Sequence, residues 1–288
     1  FDEDEAEYAF LLFWNQDYQK GYDYATRLLA QNPDNYSAMR FQLMNAAQIP
    51  ALADKMPAMA LKLWTAHIAD PVMRPFAPID YNLAADQFSK AKDYEKAEQV
   101  LTEATKQFPN DPRFLQARAF MYLDQDNTQA ATQAYNEYMA KVSQPTAADL
   151  RTAMILNYAM ASQLKDTDAT AAQQFATALN GYIAQAQQLY PEEPSTYFFM
   201  GREKILNAPT ANAGSVAVDD FTKGIAAFEQ IPADKNRPYV NNAVTMYNYL
   251  ARAAAKAGNS AQARDYYNKV LALSPNDADA QAGIKTLK

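Results

Sequence analysis

The chain has 288 residues with no cysteine, one histidine and a net charge of −7, which excludes disulfides, thiolate metal sites, thiol nucleophiles and any histidine-built metal cluster. Its 26 Lys and Arg against 33 Asp and Glu oppose binding to a nucleic-acid backbone or an anionic membrane surface. With 49% hydrophobic residues, abundant Ala and Gln and only 7 Gly, the composition favours ordered helix over sheet or disorder.

From the amino end, Asp2 to Glu5 are expected in the first turn of a helix, where negative charge is favoured. The longest apolar stretch, Ala9 to Trp14, stops at Asn15, Gln16 and Asp17, far short of the ~20 residues needed to cross a bilayer. The sequence opens at Phe1 instead of Met and keeps neither a basic n-region nor a small-residue cleavage site. The expectation drawn from this is a removed leader and a place in the cell envelope (periplasmic) or outside the cell, rather than in the cytoplasm.

Prolines then mark a repeat. Pro33, Pro71, Pro109, Pro191, Pro232 and Pro275 each follow an amphipathic segment, and proline stops a helix. Five residues before them stand Leu28, Ala66, Ala104, Ala186, Ala227 and Val270; twelve before stand Gly21, Met59, Ala97, Leu179, Asp220 and Ala263. Small residues at such offsets let helices cross closely, and Leu63, Leu101, Ile183 and Tyr267 fill the groove between them. The interval from Pro109 to Pro191 is twice the others and hides one more hairpin, about Asp111 to Val142, in which Ala131, Tyr135 and Tyr138 repeat the pattern of Ala97, Leu101 and Ala104.

At the carboxyl end, Tyr247, Leu250, Ala251, Gly258, Ala263, Tyr267, Val270 and Pro275 fall on the signature positions of the tetratricopeptide repeat (TPR) family. Tyr81, Ala85, Phe88, Tyr94, Ala97, Leu101, Ala104 and Pro109 repeat them, and Tyr197, Met200 and Gly201 mark another first helix. The chain thus resembles that family along its length. The resemblance implies an all-α fold: an α-solenoid, a right-handed superhelix of about seven TPR-like helical hairpins plus a C-terminal capping helix. As a single solenoid over 1–288, its approximate units are 1–33, 34–71, 72–109, 110–143, 144–191, 192–232 and 233–275, with the cap at 276–288. Insertions around Ile49 to Pro57, Lys165 to Thr170 and Asn207 to Ser215 stretch individual units.

Catalytic constellations are sparse. His67 reads as a helix C-terminal cap, and no glycine-serine-glycine elbow is present for a serine hydrolase. Asp124, Asp126 and Thr128, and likewise Asp166, Asp168 and Thr170, begin like calcium loops, but Gln129 and Ala171 replace the required glycine, so both read as inter-helix turns. No cofactor, metal or enzymatic activity is expected.

In the resembled family the first helix of each unit lines a concave groove. The matching positions are Arg40 and Met44, Asn82 and Asp86, Gln116 and Phe120, Phe198 and Arg202, and Asn248 and Arg252, with Arg113 one turn before Gln116. The arginines point to a peptide, and an acidic one, since their forks take carboxylates, while the apolar members would take its side chains. The plainer reading is that these arginines are solvated or paired with neighbouring acids. The lysine-and-asparagine clamp that some members use for chaperone peptides is missing from all these positions and from Ala6 and Phe10. The reading is a non-catalytic protein-interaction scaffold; the alternatives are a structural, self-associating component of an envelope assembly and, behind that, a helical enzyme.

Overall fold

In the computed structural model, which describes the backbone of residues 2–287 and the side chains of residues 6–287, the residues directly before five of the six prolines are extended. Asn32, Asp70, Phe108, Tyr190 and Ser274 have φ between −153° and −127° and ψ between 65° and 95°, because the proline ring excludes the helical conformation there. The exception is Pro232, whose helix has already ended three residues earlier at Glu229, with Gln230 still helical in its dihedrals.

The described residues form fifteen α-helices and no strand. They pair in sequence as hairpins: α1 (Asp2–Trp14) with α2 (Tyr18–Gln31), α3 (Tyr36–Ala46) with α4 (Met56–Ala69), α5 (Pro78–Lys90) with α6 (Tyr94–Gln107), and α7 (Arg113–Asp124) with α8 (Thr128–Lys141). Then come α9 (Ala147–Leu164) with α10 (Ala169–Leu189), α11 (Pro194–Asn207) with α12 (Val218–Glu229), and α13 (Val240–Lys256) with α14 (Ser260–Leu273), followed by the single α15 (Ala278–Thr286). Seven hairpins and a terminal helix are thus present, as the repeat predicts. The chain divides into two compact units, Phe1–Val142 and Ser143–Lys288, each a stack of such hairpins.

Within four hairpins the turn follows one design. Gln16, Lys92, Asp126 and Gly258 have positive φ, between 56° and 81°, and reverse the chain after the first helix. The next residue, Asp17, Asp93, Asn127 or Asn259, is the N-cap of the second helix. In the last three its side chain accepts the backbone N–H three residues on, satisfying one of the orphan donors of the helix start. Asp126, read from the sequence as part of an inter-helix turn, is a left-handed turn residue, and Asp168 is an N-cap that accepts from Ala171 N at 3.0 Å.

The insertions fall in the links between helices. Pro50–Lys55 is a 3-10 turn that sends Leu52 into the core, and the stretch near Lys165 joins the two longest helices, α9 and α10. Every residue five before one of the six repeat-marking prolines is buried: Leu28, Ala66, Ala104, Ala186, Ala227 and Val270. At the other offset Ala97 and Ala263 are fully enclosed, and Met59 is the one partly buried member. Burying such residues is the main stabilising term, about 25 cal/mol per Å² of apolar surface.

His67 differs from its expected role. It is buried, with Nδ1 2.7 Å from Arg74 O and Nε2 3.0 Å from Glu103 Oε1, and its ring stacks on Phe76 at 4.1 Å. Instead of capping its own helix, it ties α4 to the following loop and to α6. Tyr81 OH joins the same cluster, donating to Glu103 Oε1 at 3.2 Å. Burial, and then the Glu103 carboxylate, push the Tyr81 phenol well above its ordinary pKa.

Candidate functional groove

In the first unit, α5 and α7 are first helices of adjacent hairpins and pack side by side. Pro78 opens α5, and Asp80 closes its first turn by accepting Ala77 N at 2.7 Å. Asp111 does the same service for α7, accepting Arg113 N at 3.0 Å. With their starts fixed, both helices direct one face into a shared groove of about 350 Å³, within the usual range of ligand pockets.

Alanines 85 and 117 line the groove and leave its space open, and Leu101 of α6 lies beneath. Met121 is buried in its wall, whereas Phe120 stands 45% exposed. Five residues expected at groove positions, Asn82, Asp86, Arg113, Gln116 and Phe120, all line this hollow. A wider hollow of about 730 Å³ lies between second helices α4 and α6, but its aromatic, Trp64, is only 5% exposed and its rim is long polar side chains such as Glu95, Gln99 and Lys106.

Charge is unevenly distributed along the groove. Arg113 is held by both oxygens of Asp111, at 2.5 to 3.1 Å, and that bond keeps the Asp111 carboxyl below the ordinary carboxylate range. Asp86 accepts from Lys90 Nζ at 2.7 Å and Gln87 Nε2 at 2.8 Å, and Asp124 accepts from Ser89 Oγ at 3.2 Å.

Other expected positions fall elsewhere. Met44 is buried, and Arg40 reaches Asp80 with Nε 2.7 Å from Oδ1. In the second unit, Phe198 is buried and stacks on Phe221 at 6.1 Å, and Asn248 is buried with Nδ2 3.3 Å from Asp277 Oδ1. Arg252 pairs with Asp279 at 3.3 Å. Arg202 is different: its guanidinium lies 4.9 Å over the Tyr158 ring and 6.0 Å from Phe198, and its buried Nε has no hydrogen-bond partner. Three of the four arginines therefore already hold a carboxylate of their own chain, and Arg202 rests on aromatic rings.

Chemically, the groove offers apolar contact, amides and carboxylates. Among the described residues no group of three His, Asp or Glu side chains is placed to hold a metal ion, and no helix is long and apolar enough to cross a membrane.

Residues 245–277 match the family model described as the tetratricopeptide repeat. No protein of curated function matches the chain. Among solved structures, the C-terminal part of a TPR repeat-containing protein from Cytophaga hutchinsonii is similar with a TM-score of 0.70 at 16% identity, over 98% of this chain and 100% of that one. A tetratricopeptide repeat protein from Parabacteroides merdae is similar with a TM-score of 0.50 at 12% identity, over 99% and 98%. At such identities the likeness is one of fold. Together with the seven hairpins, it shows a tetratricopeptide-type helical fold, in which residues 245–277 form a matched repeat.

Proposed function

We propose that the chain is a non-catalytic scaffold that binds another polypeptide, and that the α5/α7 groove of the first unit is a place where it does so. Repeat proteins of this kind offer extended surfaces for binding. The observation that carries the reading is the convergence of Asn82, Asp86, Gln116 and the half-exposed Phe120 on one open hollow between two first helices. The amide and carboxylate side chains there can bond the backbone of an extended segment, and Phe120 gives its side chains an apolar anchor of the type that dominates interface energetics.

Recognition of an acidic partner rests on Arg202. Arg40, Arg113 and Arg252 hold Asp80, Asp111 and Asp279, and an incoming carboxylate has to displace those contacts. Arg202 offers its fork without such competition, oriented by Tyr158. An envelope location stays with this proposal as the setting in which the binding is to be sought.

The test compares the chain with an Asn82→Ala, Phe120→Ala variant in affinity capture from cell extracts and envelope fractions, with circular dichroism confirming equal helix content. A polypeptide recovered by the parent and lost by the variant supports groove binding. Equal recovery, or recovery of the chain itself alone, moves the reading to a self-associating structural component.

A further inference from the structure

The groove between α5 and α7 has a polarity that selects its occupant. Both are first helices separated by one second helix, so they run the same way, and Ser89 near the end of α5 donates to Asp124 at the end of α7. Their carboxyl ends therefore lie together at one end of the groove. Each helix end carries partial negative charge from its unpaired carbonyls, and it adds to the charges of Asp86 and Asp124.

Those two carboxylates are not used up. Asp86 takes its bonds from Gln87 and Lys90 on Oδ2, and Asp124 takes its bond from Ser89 on Oδ2; among the described residues neither Oδ1 accepts a hydrogen bond. The Lys90 pair is exposed on both sides, 66% and 48%, and such pairs contribute little, so an arriving cation can share or displace it. Among the described residues the one cation lining the groove, Arg113, belongs to the first turn of α7 at the opposite end and is clamped by Asp111. Between the two ends lies an apolar strip of Ala85, Ala117 and Phe120.

Accordingly, we infer that the groove takes a polypeptide segment in which a lysine or arginine side chain sits at the carboxyl ends of α5 and α7 while a neighbouring apolar side chain packs on Phe120. This rests on the reading of the groove as a polypeptide site and names the chemistry of its ligand. An acidic segment placed there faces two carboxylates and two negative helix ends, which is the like-charge juxtaposition that excludes wrong partners. The acidic-partner expectation from the arginines thus applies to Arg202 and not to this groove.

The experiment presents the immobilised full chain with three degenerate peptide libraries of about a dozen residues, fixed centrally as Leu-X-Arg, Leu-X-Glu and Ser-X-Ser, and counts retained peptides. The Leu-X-Arg library is expected to be retained roughly tenfold over Leu-X-Glu, with the preference shrinking as salt is raised. An Asp86→Asn, Asp124→Asn variant, which keeps the shapes of both side chains, abolishes the preference, and Phe120→Ser abolishes retention. Equal retention of Leu-X-Glu, or a preference for Leu-X-Arg that survives in the double variant, overturns the inference. If Leu-X-Glu is retained and Phe120→Ser removes it, the inference falls while the groove remains the polypeptide site. Retention of any library that ignores Phe120→Ser removes both.

Discussion

A β-carbon built on Gly201 would lie 2.3 Å from Cε1 of Phe221, so α11 and α12 meet through a bare backbone and an aromatic edge. The family's small residue in the first helix thus has a concrete partner here. Gly201→Ala sets a gain in helix propensity of about 1 kcal/mol against overpacking of a rigid ring that costs about 1–3 kcal/mol. The ring wins, because Phe221 is itself only 1% exposed and has nowhere to move. Gly181, on α10, has nothing within 4 Å of its would-be β-carbon, so Gly181→Ala is expected to stabilise by about 0.5–1 kcal/mol. Urea unfolding of both variants checks the pair; a Gly201→Ala protein as stable as its parent contradicts the packing described.

The Arg40–Asp80 pair gives a pH-dependent prediction. Burial raises the Asp80 carboxyl above its ordinary pKa even though Arg40 works against it. An acid whose folded pKa is raised binds its proton more tightly in the fold, so its contribution favours folding at low pH and is lost as the pH rises through the folded value. Arg40→Leu removes the counter-charge from a carboxylate that is 1% exposed. The loss is expected near 2–3 kcal/mol at about pH 7, below the figure for a fully buried pair because Arg40 is 27% exposed, and to shrink on acidification to about pH 4. Denaturant unfolding at both pH values reads it; a loss independent of pH contradicts it.

Positive φ at Lys92 and Asp126 carries a cost that Gly258 avoids at the equivalent turn. Lys92→Gly and Asp126→Gly are each expected to be neutral or stabilising by up to about 1 kcal/mol, and Gly258→Ala to destabilise by about 1 kcal/mol. Thermal melts of the three proteins decide the matter, and a destabilised Lys92→Gly protein argues against the shared turn.

Arg202 and Arg252 are predicted to part company. Arg252 and Asp279 are exposed, 53% and 74%, so Arg252→Met is expected to leave stability within about 0.5 kcal/mol and binding unaffected. Arg202→Met keeps apolar contact with Tyr158 and Phe198 but removes the charge. Titration with a short Glu-rich peptide is expected to show at least roughly a tenfold loss of affinity for Arg202→Met alone; equal behaviour of the two variants rules out Arg202 as the carboxylate receptor.

Much of the fold was legible because its signals are local. A proline fixes the residue before it, and a small residue five positions earlier meets the neighbouring helix, so Leu28, Ala104 and Val270 were placed by counting alone. The turns were half legible: Asp93, Asn127 and Asn259 are ordinary N-cap residues, but nothing in Gln16 or Lys92 announces a left-handed conformation. His67 was misplaced because its partner Glu103 lies 36 residues away, on a helix that packing alone brings near. Counting along first helices found five groove residues together yet also offered Met44, Phe198 and Asn248, which are buried. The rotation of a helix about its axis depends on neighbours such as Phe221 and Asp277 that spacing does not reveal.

The central claim is that a polypeptide lies against Phe120. A photo-crosslinking amino acid placed at position 120, with another at the exposed Gln99 on α6 as control, tests it in cells by identifying what each captures. The account predicts covalent adducts to another polypeptide from position 120 and none from position 99. Adducts from position 99 alone, or equal yields of the same species from both, contradict it.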